Sequence, residues 1–250
     1  MNTIESAVLQ TGNTSDTELR AFIRHGERLI EDMGIFSQQD VPFAHDIRAL
    51  VPPASDFKNP ESADSTESDH ARPHIASALV LAPLFIDSVQ RIHPEIPIPK
   101  ESIMQGLRFH DLDADGSPNR THGLSVVTRF EQSGRHMQYD GQWPIIRFLV
   151  EHHSDWPDTQ YGPIPAELKL ALDIMCDIDA SLLPRRGVGI PASEIIFRTP
   201  EAKVFGLLHI ATALRLCAGD NSPVRGSVDD FLQAGVSLGL LREDPGEFHE

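Results

Sequence analysis

The sequence predicts an all-α fold. Three observations carry that expectation. Apolar residues recur three and four positions apart in successive segments, the spacing that lines one face of a helix. Helix-start signals precede these segments: a Ser15–Glu18 capping pattern, Pro73 and Pro165 at first turns, and Thr199-Pro200-Glu201. Gly34, Pro184, Gly187 and Gly219 end them. With 250 residues, 40% of them hydrophobic, the chain can build one substantial core. The expected organisation is an N-terminal helix and loop over 1–68, a core over 69–190, and C-terminal helices over 191–250 packed on that core.

Taken in order, 1–14 is polar and expected to fray. Leu19, Phe22, Ile23, Leu29, Ile30 and Met33 then keep helical spacing as far as Gly34. His25 in this helix reads as a surface side chain. From 51 to 68 the chain turns rich in Pro, Ser and Asp without any period, which predicts a long loop able to act as a lid or to meet a second copy. The next helix carries His70 and His74 at its start and the apolar run 75–86, with Ala78, Leu81 and Phe85 on the face of His74. That run is too short to span a bilayer and reads as a core helix. Pro94, Pro97 and Pro99 mark a connection, and 101–112 forms the following helix.

His110 and Asp111 end that helix side by side. His110 follows Leu107 by three positions and Ile103 by seven, so it shares a face with two core residues. A buried imidazole and carboxylate need a partner, and a metal ion takes both. The loop beyond alternates acidic residues before Gly116, as a calcium loop does, but no glutamate closes the cage. His122 follows this loop as a candidate ligand, with His136 as its competitor in what reads as a turn. A helix over 141–153 ends on His152 and His153, which point about 100° apart, so each can meet a different partner. The helix that starts at Pro165 holds Asp177 between Ile174 and Ile178, where an ionised carboxylate needs a cation or several hydrogen bonds. Asp173 and Asp179 read as solvated charges, Asp179 being the alternate ligand in another register. Arg185 and Arg186 follow, able to grip a phosphate or to sit in a surface turn. One helix is expected from Pro200 to Leu216, with His209 packed in it, and a last one over 228–241.

His74, His110-Asp111, His152-His153 and Asp177, each on its own helix, resemble the HD-domain superfamily of metal-dependent phosphohydrolases. The segment 152–165 resembles the His-His and Gly-Tyr-Pro segment of the HD-GYP phosphodiesterases. Here Ser154 stands in place of the glutamate, and Tyr161 is what remains of Gly-Tyr-Pro. The resemblance covers about half the chain, roughly 70–186. It implies an HD-like helical bundle in which His74, His110, Asp111 and Asp177 hold a first divalent ion. Asp111 would then bridge to a second ion held by His122 and by His152 or His153. The implied ions are iron, manganese, magnesium or another divalent metal, one or two in number. The implied reaction is hydrolysis of a small phosphate ester, a nucleotide or cyclic nucleotide, with Asp111, His153 and Arg185 in catalytic roles. Two other readings share these residues: an HD-type di-iron oxygenase, and an HD module that binds a nucleotide or partner without turnover.

Composition narrows the partners. Lys and Arg number 21 against 37 Asp and Glu, a net charge of −16 that repels duplex nucleic acid and anionic membranes. A small phosphorylated substrate stays compatible because bound cations supply positive charge locally. Cys176 and Cys217 both fall in apolar helical patterns and are expected as reduced, buried thiols. The first residues carry no secretory pattern. A cytoplasmic location and a possible homo-oligomer are the corresponding expectations.

Overall fold

The computed structural model describes residues 16–32, 41–64, 71–114, 121–155, 159, 161–182, 195–219 and 226–243. Among these, the chain is built from helices, and the one strand-like contact is an isolated bridge between Phe43 and Arg242. The helices are α1 (Asp16–Asp32), α2 (Ala44–Leu50), α3 (Arg72–Ile92), α4 (Lys100–Phe109) and α5 (His122–Gln132). They continue with α6 (Trp143–His152), α7 (Ala166–Leu182), α8 (Pro200–Val204), α9 (Leu207–Cys217) and α10 (Val228–Ser237).

Helix α3 is the centre. Pro73 starts it, and it runs well past the apolar stretch 75–86 because Ser88 and Val89 are buried too. Pro83 lies inside it and leaves the Leu79 carbonyl without its usual donor. By length and composition this helix could cross a membrane. In the bundle α2, α4, α7, α9 and α10 pack around it. Leu79, Leu81, Leu84, Phe85 and Ile86 are each 2% exposed or less, and each such side chain contributes roughly 1.5–3 kcal/mol on burial. Helix α4 lies against α6 and α7, α5 against α6, and α1 against α9.

Several elements differ from the sequence expectation. The stretch 51–64 is no free loop: it makes two 3-10 turns, buries Phe57 and Ala63, and donates the Lys58 amide to the Leu112 carbonyl at 2.9 Å. Residues 65–70, with His70, lie outside the described residues. Helices α2 and α5 were not expected from the sequence. Helix α4 ends at Phe109, leaving His110 and Asp111 on the turn beyond it. The helix expected from Pro200 to Leu216 divides at Gly206, whose φ of +64° breaks the helical path. A side chain there is strained in that conformation. The last helix stops at Ser237, and the Leu240 and Leu241 amides turn back to the Gly235 carbonyl.

Candidate metal centre

Helix ends converge to form the site. His74 comes from the first turn of α3, His110 and Asp111 from the end of α4, His122 from the start of α5, His153 from the end of α6, and Asp179 from the last turns of α7. Asp111 is the hub. Its Oδ2 lies 3.2 Å from His110 Nε2 and 3.6 Å from His74 Nε2. Asp179 Oδ1 completes that group, 2.9 Å from His74 Nε2 and 3.5 Å from His110 Nε2. Asp111 Oδ1 faces the other way, 3.3 Å from His122 Nε2 and 3.8 Å from His153 Nε2. Two donor groups result, His74-His110-Asp111-Asp179 and Asp111-His122-His153, and each could hold a metal ion.

The imidazoles are set for that role by the backbone. His110 Nδ1 lies 2.8 Å from the Leu107 carbonyl and His153 Nδ1 lies 2.7 Å from the Val150 carbonyl. A carbonyl only accepts, so both Nδ1 atoms carry hydrogen and each neutral ring offers a lone pair at Nε2. The buried His110 Nε2 has no hydrogen-bond partner despite the carboxylate oxygens near it, which is the mark of a group built for a ligand. His153 Nε2 sits 2.8 Å from His122 Nε2. Gly123 makes this approach possible, since a Cβ on it would lie 2.1 Å from the Val150 carbonyl oxygen. The Cys176 thiol donates to the His153 carbonyl at 3.0 Å and, being buried, has its pKa pushed up.

Charge follows from burial and neighbours. Burial alone would lower the His110 pKa, but Asp111 and Asp179 beside it outweigh that and raise it well above the usual histidine value. Burial and the charge of His110 push His153 down to about 4. Asp179 runs against its own burial: His110 and His74 hold it well below the usual carboxylate range. Near neutral pH a proton on His110 therefore offsets the two carboxylates when no cation does. A divalent ion must displace that proton, so metal affinity should fall as pH falls, with about one proton released per ion at the first group. Calorimetry of manganese binding in buffers of different ionisation enthalpy measures the count, and heats that do not depend on the buffer would contradict it.

Two expected ligands stand elsewhere. Asp177 does not join the cluster: it accepts from the Arg198 amide at 2.6 Å, the Thr199 amide at 2.9 Å and the Thr199 hydroxyl at 2.6 Å. It fixes the start of α8, and burial pushes its pKa up to about 6 against those three donors. Asp179, two positions on and so nearly opposite on the helix, takes the place expected for it. His152 points into a side cluster, its Nδ1 2.8 Å from Asp155 Oδ2 and its ring against Phe148 and Tyr161. The Tyr161 hydroxyl donates to the same Asp155 oxygen at 3.2 Å. His136 packs on Trp143 at the 3-10 turn Arg135–Tyr139. Arg185 and Arg186 lie outside the described residues. Asp113, unmarked in the sequence reading, is buried and bonded to α5.

Among the donors the side chains of Asp179 and His122 are 20% and 15% exposed, against 3% or less for the other four, so these two are the donors nearest to solvent. Comparison with the sequence profiles of known families, with curated proteins and with solved structures gives no significant match.

Proposed function

We propose that this protein is a metal-dependent phosphohydrolase of the HD-domain type, acting on a small phosphate ester such as a nucleotide or cyclic nucleotide. The observation that carries the reading is the Asp111 carboxylate, which gives one oxygen to each donor group. A carboxylate shared in this way would hold two cations as neighbours, and such a pair would supply charge stabilisation to the oxygens of a phosphoryl group. The order His74, His110-Asp111, His122, His153, Asp179 along the chain adds support, being the order in which the HD resemblance spaces its ligands.

Bound divalent cations would supply Lewis acidity toward phosphoryl oxygens and a water acidified toward neutrality. The chain's own part is orientation. Leu107 and Val150 carbonyls fix the ring planes of His110 and His153, and Asp111 holds the two groups in register. Bound cations would offset locally, for an anionic ester, the repulsion of a chain of net charge −16. Chelator-stripped protein should hydrolyse none of a panel of nucleotide mono- and cyclic esters, read as phosphate released from the monoesters and nucleoside monophosphate formed from the cyclic esters, and manganese or magnesium should restore hydrolysis. Protein that binds these ions yet hydrolyses none of the panel would overturn the reading.

A second reading rests on the Asp111-His122-His153 group. Two imidazoles and a carboxylate suit one non-haem iron, and a second iron at the other donor group would complete the pair that a di-iron oxygenase needs. Iron retained through purification, with oxygen uptake and no hydrolysis of the ester panel, would replace the hydrolase.

A further inference from the structure

The two donor groups are supported differently. Helices α3, α4 and α7, which carry the first group, all pack on one another at the centre of the bundle. The second group needs α5, which lies on α6 at the periphery and supplies His122 from its first residue. Its hold on the site comes through Asp113, two residues beyond Asp111 on the same turn. Asp113 is 4% exposed, and both its oxygens are engaged by α5. Ser125 Oγ donates to Oδ2 at 2.6 Å and Arg129 Nη2 donates to Oδ1 at 2.6 Å. His122, Ser125 and Arg129 are spaced by three and four, so the bonded face of α5 is the one that presents His122.

Other contacts fix the remaining sides. Gly123 sits against the Val150 carbonyl, which also receives the His153 Nδ1 hydrogen. Just past α5, Arg135 lies over the Phe130 ring at 4.5 Å and donates to Asp56 Oδ2 at 2.8 Å. The loop holding Asp56 returns to the Asp111 turn through the Lys58–Leu112 bond. None of these contacts involves His74, His110 or Asp179.

We infer that Asp113 is a positioning residue for the second metal, and that this metal, unlike the first, is held at full affinity only while the Asp113–Ser125–Arg129 clamp keeps α5 against the Asp111 turn. The inference rests on the two-metal reading above. A residue that orients a ligand without touching the ion changes affinity roughly 10- to 100-fold when replaced. Breaking the clamp should place that whole loss on one of two binding events.

The test is titration of the full chain with manganese, competed by a chromophoric chelator, in wild type, Asp113→Ala, Asp113→Asn and Ser125→Ala. Wild type should bind two equivalents. In Asp113→Ala the first equivalent should keep its affinity while the second weakens roughly 10- to 100-fold. Asp113→Asn keeps one carbonyl oxygen and should fall between the two, and Ser125→Ala should show the smaller loss of a single hydroxyl. Equal weakening of both equivalents would make Asp113 general structural support and overturn the inference, as would unchanged binding in both Asp113→Ala and Ser125→Ala. Should Asp113→Ala fail to fold by circular dichroism, the split in Ser125→Ala decides. Wild type binding fewer than two equivalents would instead sink the two-metal reading on which the inference stands.

Discussion

Asp111→Ala should weaken both cation sites at once and empty the second, where loss of any other donor touches one group. The reason is geometric: Asp111 is the only residue common to both donor groups, and its two oxygens face opposite sets of imidazoles. Without it the first group keeps His74, His110 and Asp179, and the second is reduced to a pair of histidines. Elemental analysis of wild type and variant, both purified without chelator, reads the difference directly. A thermal melt gives an independent check, because a ligand present at a thousand times its dissociation constant stabilises the folded state by about 4 kcal/mol. Wild type should melt higher with manganese than with chelator, and the variant should show a smaller difference. A variant that retains a full complement of metal would show that the bridging geometry is not what binds it.

The sequence made parts of this site legible and hid others for physical reasons. His74, His110 and His153 could be found because each shares a helical face with core residues, and a polar side chain on such a face must be satisfied. The all-helical character was equally open, since caps and proline starts agreed with the apolar spacing at α3, α7 and α8. Helix α5 was not, because its sequence, His-Gly-Leu-Ser-Val-Val-Thr-Arg-Phe-Glu-Gln, is rich in β-branched and polar residues and has no strong cap. Its stability comes from packing on α6 and from the Asp113 bonds, which are tertiary contacts. Gly206 likewise divides a segment whose apolar spacing continues as one helix, and its left-handed φ marks the break. His152 and His153 could not be separated by spacing, because both lie at the end of α6 and the choice depends on Asp155 and Tyr161 capturing one of them.

Asp177 and Asp179 show the same limit most sharply, and they give the second large expected effect. Residues 171–178 of α7 are buried around the whole helix, so no polar face tells which carboxylate looks toward the other histidines. Their surroundings decide, and they predict opposite phenotypes for one conservative change. In Asp177→Asn the amide nitrogen meets donors from Arg198 and Thr199 in place of an acceptor, leaving at least one buried donor unsatisfied. A loss of about 1–3 kcal/mol is expected for that, with the metal content of the folded protein unchanged. Asp179→Asn removes the second carboxylate beside His74 and His110. There affinity at the first group should drop by more than roughly 100-fold, beyond the range seen for residues that only orient a ligand. Denaturant unfolding with chelator and manganese titration, run on both variants, separate the two roles. Metal lost from Asp177→Asn and kept by Asp179→Asn would return the ligand to the other face of α7 and overturn the arrangement drawn from the structure.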